Sequence, residues 1–350
     1  MSSAGTGHRV AAATPWTALA LSLVLVTGAA AASLFLGSRS VDPAVVSEVL
    51  LRVPGMLLGS DPGGAEDIET AVVLSRVPRT ITAILVGAAL AVAGAGLQGV
   101  SRNPLGDPGL LGLSSGAAAG VVIGLGWLGA ATSWAMGLAA LAGTLVAAAL
   151  VFGLSQLGGS PTPVGLTLSG AAVNAGCVAV TSSIVLTRPE VLDRFRYWNV
   201  GSVTRADASD LAAALPLVPA GLALVVLGCS GLNALALGDD LAHGLGVDLR
   251  VQRLIVFAGV VLLVGAATAA AGPISFVGLL IPHAIRRLVG GDYRWIVVLC
   301  LLLGPALLLL ADALGRVIAP PQEVYVGIMT VVLGVPVLLV LLRRGREVSL

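Results

Sequence analysis

The chain has 350 residues, of which 57% are hydrophobic and 11% are charged, with a formal net charge of +1. Soluble domains carry about a quarter charged residues, so the composition excludes an ordinary soluble protein and gives no sign of nucleic-acid binding. Lysine is absent. Because a P-loop and a Schiff base both need lysine, neither is present, and ATP that drives this chain must be bound by another one.

Continuous apolar runs predict membrane-spanning helices rather than barrel strands, whose residues alternate between apolar and polar. We therefore predict an all-α, polytopic fold that forms one transmembrane domain over residues 1–350, with about ten spans. An even number of spans puts both termini on one side, and the cluster Arg343–Arg346 favours the cytoplasm. The expected spans are Thr17–Leu36, Thr80–Val100, Pro108–Leu128, Trp134–Leu154, Val164–Val185, Leu211–Leu227, Val251–Ala271, Phe276–Val289, Ile296–Leu314 and Val326–Leu342.

Three of these spans have unusual features. The run Thr17–Leu36 follows Arg9 and resembles a signal peptide, but it reaches the ~20 residues that a bilayer requires, so we predict a retained first helix. The run Phe276–Val289 is too short to span a bilayer, and Pro108–Leu128 follows a proline-rich turn. Broken helices of this kind are tolerated where protein or a water-filled cavity surrounds them, often near a transport pathway.

The sequence predicts no metal site and no catalytic site. Cys177, Cys229 and Cys300 all lie in apolar runs without metal-ligand spacing, so we interpret them as small buried hydrophobic residues. His283 has no second ligand at usable spacing, and a metal site needs several. We also find no nucleophile paired with a base, which argues against a membrane enzyme.

A series of motifs follows in fixed order from about residue 74 to the end of the chain. It includes RVPRT at 76–80, LQG at 97–99, RNPLGDPGLLG at 102–112, GPISFVGL at 272–279 and GVP at 334–336. The series resembles the permeases of iron–siderophore, haem and cobalamin ABC importers, the FecCD-type or BtuC-like family. Each motif alone is weak, but the ordered set is specific.

The resemblance implies a permease subunit, not an enzyme, in the bacterial cytoplasmic membrane with both termini in the cytoplasm. It implies a second permease subunit, identical or homologous, two cytoplasmic ATPase subunits that use ATP and Mg, and an extracytoplasmic substrate-binding protein. The chain itself would bind no cofactor. A ferric siderophore is the favoured cargo; haem and cobalamin remain open, as does the type of chelate. An ion-coupled secondary transporter is the less favoured alternative, with Asp312 as its one clear intramembrane acid.

At the outer face, the resemblance assigns docking of the binding protein to Arg76, Arg79 and Arg316. Arginine forms planar, bidentate pairs with carboxylates, which suits this role, although arginines at helix ends also snorkel towards lipid headgroups. Asp312 lies four residues before Arg316 on one helix. Because an intramembrane carboxylate is costly unless it is paired, we predict an internal ion pair rather than a proton relay.

At the inner face, the resemblance assigns ATPase coupling to a loop at about 230–250, with Gly238, Asp239, Asp240 and Leu241 as the contacts. An ordinary cytoplasmic loop is the alternative. It also assigns the cytoplasmic gate to Asn103 and Leu105, in a turn before the third span, and to Thr162, in the turn before the fifth. Asn and Pro suit such breaks in helix geometry, so purely structural turns are the alternative there.

Overall fold

A computed structural model describes residues 14–57, 67–109, 111–156, 162–204 and 208–346. Across these ranges the chain forms helices and no strand, which confirms the all-α prediction. The thirteen helices of the described ranges are α1 (Pro15–Phe35), α2 (Pro43–Leu57), α3 (Ile68–Ser101), α4 (Leu113–Trp127), α5 (Ser133–Ser155), α6 (Pro163–Thr187), α7 (Pro189–Asn199), α8 (Ala208–Ala236), α9 (Asp239–Gly244), α10 (Leu249–Ala271), α11 (Val277–Val289), α12 (Tyr293–Ile318) and α13 (Val326–Arg346).

The ten predicted spans correspond to all of these helices except α2, α7 and α9. Seven are long and apolar enough to cross a membrane: α1, α3, α5, α6, α8, α10 and α12. α4 and α13 offer shorter apolar stretches, and α11 has 13 residues. The prediction that the run ending at Val289 is too short to span a bilayer is therefore confirmed.

The start of α3 differs most from the prediction, which placed it at Thr80. The helix begins at Ile68, because the side chain of Asp67 accepts a hydrogen bond from the Thr70 backbone N–H at 2.7 Å and caps the first turn. Pro78 lies inside the helix without ending it. Proline and the flanking arginines are ordinary boundary signals, which explains the error.

Two helices that the sequence analysis placed in loops connect the spans. α2 begins at Pro43, after Asp42 accepts a hydrogen bond from the Ala44 backbone N–H at 2.8 Å. α7 begins at Pro189 and carries Arg196 in its last turn, which suits the helix dipole. Both are short and amphipathic, so neither produces a long apolar run.

Glycines allow the central helices to approach closely. A Cβ on Gly94 of α3 would overlap the backbone of Gly278 in α11. A Cβ on Gly120 of α4 would lie 2.9 Å from the Cα of Gly143 in α5. Such contacts are the usual substitute for hydrophobic driving force between membrane helices. α3, α10 and α12 are mostly buried, whereas α1 and α6 lie at the periphery.

The bundle has two polar ends, which we name by their residues. The α9 face carries α9 with Arg102 and Asp292, and the arginine face carries Arg79 and Arg316 with the loop after α12. α1 begins near the start of α12, where the rings of Trp16 and Trp295 lie 5.1 Å apart, and α13 runs away from the arginine face. The start of α1 and the end of α13 therefore both lie at the α9 face.

Candidate functional sites at the two faces

The arginine face contains a buried ion-pair cluster centred on Asp312, which is 1% exposed. Arg79 donates from Nε to both Asp312 carboxylate oxygens, at 3.1 and 2.9 Å, and from Nη2 to Oδ1 at 2.7 Å. Its remaining Nη1 donates to Oε2 of Glu323 at 2.7 Å. The Arg79 guanidinium thus holds two carboxylates on two different edges, one deeply buried and one near the surface.

Arg316 completes this cluster from the same helix as Asp312. It is 1% exposed and donates from Nη1 to the Ser33 carbonyl at 2.9 Å and from Nη2 to the Ser33 hydroxyl at 3.0 Å. Nη2 also lies 3.2 Å from Oδ2 of Asp312. The predicted internal ion pair between Asp312 and Arg316 is therefore confirmed, and the hydrogen bonds of Arg316 to Ser33 tie α12 to the end of α1.

Arg76 closes the end of α1. Its Nη1 donates to the carbonyls of Leu34 and Phe35, at 2.9 and 3.1 Å, and its Nη2 to the carbonyl of Arg39 at 2.8 Å. The last carbonyls of a helix lack partners within the helix, and Arg76 supplies them. The guanidiniums of Arg76 and Arg316 therefore point into the protein instead of snorkelling to lipid, and a role in docking stays a prediction for all three arginines.

Glu323 is the more accessible acid of the cluster, with its side chain 28% exposed against 2% for Asp312. It lies in the loop between α12 and α13, and Ser38 donates to its Oε1 at 3.0 Å. Partial burial acts to raise the pKa of Glu323, but the hydrogen bond and the charge of Arg79 outweigh it and hold that pKa below its ordinary value. Sequence reasoning missed this residue, because nothing local in the sequence pairs it with Arg79.

The α9 face is organised around Asp239, the first residue of α9. Its Oδ1 accepts from Nη2 of Arg102 at 2.5 Å and from Nη2 of Arg253 at 2.8 Å. Arg102 follows the end of α3 in a left-handed backbone conformation, and Arg253 is buried in α10. Asp239 thus ties α9 to α3 and α10, and its side chain stays 38% exposed, so its role as a contact for another protein stays a prediction.

Three exposed leucines lie on or beside α9. Leu237, Leu241 and Leu245 are 60%, 61% and 67% exposed and follow one another at a spacing of four residues. Gly238 enters the helix with a φ of 115°, and beyond the helix Gly246 has a φ of 79°. Of the predicted contacts, Asp240 and Leu241 are exposed. Leu237 and Leu245 were missed, although their spacing with Leu241 was visible in the sequence.

The two turns that carry the predicted gate residues both border one open cleft at the α9 face. Asn103 Oδ1 accepts from the Leu105 backbone N–H at 2.9 Å, and Leu105 is 40% exposed. Thr162 caps α6 by accepting from the Gly165 backbone N–H at 3.0 Å. Asn103 and Pro163, the residue after Thr162, line the same cleft of about 420 Å³. The structure brings the two turns together, and their role as a gate stays a prediction.

A hydrogen-bond network that sequence reasoning missed joins four helices near the α9 face. Arg286 of α11 donates to Oε1 of Gln98 in α3 and, at 3.1 Å, to the hydroxyl of Tyr293 in α12. Asn233 of α8 accepts from the Tyr293 backbone N–H at 2.9 Å and donates to Asp292 at 2.8 Å. The hydrogen bond from Asn233 holds the pKa of Asp292 below its ordinary value.

Within the described ranges, no three His, Cys, Asp or Glu side chains are grouped so that they could hold a metal ion. Nε2 of His283 is buried without a hydrogen-bond partner there. Cys229 and Cys300 are buried, whereas Cys177 is half-buried. The predictions of no resident metal and no cofactor stay predictions.

Membrane-length helices packed through glycine contacts, a half-length helix within the bundle and buried charges held in pairs define a multi-pass membrane protein of the transporter class. The model of the FecCD transport family matches residues 23–344. This chain belongs to that family, whose members are permease subunits of ABC transporters and not enzymes. The match starts well before residue 74, where the motifs become recognisable, and includes α1 from Leu23 onwards.

Individual relatives agree with the family. The chain is 41% identical over 325 residues to the ferric enterobactin transport system permease protein FepD of Escherichia coli, covering 92% of this chain and 93% of that protein. It is 41% identical over 279 residues to the hemin transport system permease protein HmuU of Yersinia pestis, covering 78% and 83%. A solved structure of an inward-facing metal-chelate type ABC transporter matches with a TM-score of 0.77 and 26% identity, covering 94% of this chain and 99% of that one.

Proposed function

We propose that this chain forms the transmembrane route of an ABC importer that carries a ferric siderophore across the bacterial cytoplasmic membrane. The observation that carries the cargo proposal is the similarity over 92% of the chain to a permease named for ferric enterobactin. Haem is the second candidate, because a hemin permease is equally identical over a shorter range. ATP and Mg are bound by separate ATPase subunits, since this chain has no lysine for a P-loop.

A second permease subunit, identical or homologous, packs against α6, and the cargo passes between the two. α6 supports this placement because few of its residues are buried, although it contacts α4 and α5 along its length. Its accessible surface includes Thr167, Ser182 and Ser183. Hydroxyl groups facing lipid lack partners other than their own helix, so a polar pathway or a partner helix suits this face better.

The α9 face points to the cytoplasm, and α9 is the contact with the ATPase. The exposed leucines around Leu241 supply an apolar surface for a cleft in that partner, with Asp240 beside them. Asp239 plays a different part: its ion pairs with Arg102 and Arg253 transmit movement of α9 to α3 and α10. The cleft beside Asn103 is the cytoplasmic gate, and it is bordered by Ser101 at the end of α3, one of the two helices that this linkage would move.

The coupling assignment is tested with three variants of the complex assembled from this chain and its ATPase. Leu241→Asp puts a charge into the apolar contact, so the ATPase should no longer co-purify. Asp239→Asn leaves the contact surface intact, so the ATPase should co-purify while chelate uptake per ATP hydrolysed falls at least about tenfold. Leu128→Asp changes a leucine after α4 at the opposite end, 78% exposed against 61% for Leu241; it is the control and should retain the ATPase. Full retention in Leu241→Asp would remove α9 as the contact.

The cargo is tested by uptake of ⁵⁵Fe-labelled chelates into a strain lacking this chain, with and without the chain restored. Catecholate, hydroxamate and citrate complexes and haem are compared side by side. Restoration of uptake for a ferric siderophore alone supports the primary proposal. Restoration for haem alone would replace it with the second candidate.

A further inference from the structure

Arg79 holds its two carboxylates in unequal ways. Asp312 receives three hydrogen bonds from Nε and Nη2 and is almost fully buried, so it forms the permanent partner. Glu323 receives one hydrogen bond, from Nη1, and its side chain remains 28% exposed. An exposed ion pair contributes little net stability, whereas a buried one is strongly destabilised by loss of a partner. The Nη1 edge is therefore the part of Arg79 that can change partner.

The loop around Glu323 lets the side chain leave while the backbone stays in place. Residues from Ala319 to Gln322 are exposed. Val324, the residue directly after Glu323, is anchored, because its backbone N–H donates to the Gly315 carbonyl at 2.9 Å. Within the described part of the chain, the exposed Ser38 is the one residue besides Arg79 whose side chain donates a hydrogen bond to Glu323. A change of rotamer at Glu323 would thus free Nη1 of Arg79 without disturbing the end of α12.

We propose that Glu323 occupies, in the undocked permease, the edge of Arg79 that a carboxylate of the substrate-binding protein takes on docking, so that docking proceeds by carboxylate exchange. This inference rests on the proposed importer function and on the prediction that the substrate-binding protein docks at the arginine face. It explains how an arginine that is 11% exposed and already paired can serve in docking. Counting Arg76, which lies close to Arg79, the arginine face holds three arginines against two acids, Asp312 and Glu323. Its net charge of +1 favours an incoming anion even before Glu323 leaves.

The exchange predicts that weakening the internal contact strengthens docking. In the full chain in nanodiscs, titrated with its chelate-loaded binding protein, Glu323→Gln should lower the Kd about two- to fivefold, because only the more accessible of the two ion pairs of Arg79 is weakened. Ser38→Ala changes no charge and releases the second hydrogen bond to Glu323, so it should lower the Kd in the same direction by a smaller factor. Glu190→Gln is the control: Glu190 is an exposed acid at the start of α7 that does not contact Arg79, so its replacement should leave the Kd within twofold of wild type.

The outcomes separate this inference from the function on which it rests. If the wild-type chain binds the binding protein but Glu323→Gln has an unchanged or higher Kd, the exchange is overturned and the importer proposal stands. An equal gain in Glu323→Gln and Glu190→Gln would show a general charge effect and would also overturn it. A wild-type chain that binds no binding protein would remove docking itself, and the exchange with it.

Discussion

Asp312 is the residue whose replacement tests the buried cluster most sharply. Asp312→Asn keeps the shape of the side chain and removes its charge. It leaves Arg79 with Glu323 and Arg316 with Ser33, so both arginines retain a partner but lose a carboxylate at 2.7 to 3.2 Å. Breaking a buried pair costs about 3–5 kcal/mol, and the remaining partners place this change near the lower end, about 3 kcal/mol. The midpoint of thermal unfolding in detergent should fall by roughly 4 °C.

The matched control is Asp193→Asn. Asp193 also pairs with an arginine, Arg196, at 3.4 Å, but both side chains are more than half exposed. Its loss should cost no more than about 0.5 kcal/mol. Equal shifts in the two variants would refute the account of Asp312 as the centre of a buried cluster. An Asp312→Asn chain that kept its midpoint but lost transport would instead support the proton-relay alternative.

Two further changes test the packing and the α9 face. Gly94→Ala places a methyl group against the backbone of Gly278, so it should cost about 2 kcal/mol, whereas Gly153→Ala, with open space around it, should be neutral or slightly stabilising in the same unfolding assay. Asp292 has a lowered pKa through its hydrogen bond from Asn233, so its stabilising effect is complete above the unfolded pKa of about 4 and is lost as the pH falls through the folded pKa. Asp292→Asn should therefore be less stable than wild type at pH 7, and the difference should shrink as the pH falls through the folded pKa of Asp292; a difference that stays constant over this acid titration would contradict the assignment.

The membrane spans were predictable because each one that crosses the bilayer produces a long apolar run. The boundaries of α5 and α6 agree with the prediction to within a few residues. α2 and α7 were missed for the complementary reason: they are short and amphipathic, and their start signals, such as Pro43 and Pro189, also occur in loops.

The partners of the charged residues were only partly predictable. The pair between Asp312 and Arg316 follows from a spacing of four on one helix. The contact of Arg79 with Glu323 spans 244 residues of sequence, and that of Arg102 with Asp239 spans 137. A single sequence holds no local signal for such contacts, since they depend on how the helices are arranged around one another.

The same limit applies to the ion pairs of Asp239, which the sequence did not predict. Gly-Asp-Asp before a short amphipathic stretch predicts an exposed polar loop, and Asp240 and Leu241 are indeed exposed. Asp239 differs from its neighbour because the first turn of α9 directs it towards α3 and α10. Two adjacent acids in one motif thus have different surroundings.

The central claim is that this chain supplies the route through the membrane while another chain hydrolyses ATP. The most direct measurement is uptake of a ⁵⁵Fe-labelled siderophore into proteoliposomes that contain this chain alone, or this chain with its partner permease, its ATPase subunits and its binding protein. We predict ATP-dependent uptake only in the complete set, with neither ATP hydrolysis nor accumulation by the chain alone. Accumulation of the chelate by the chain alone, driven by an ion gradient, would contradict the account.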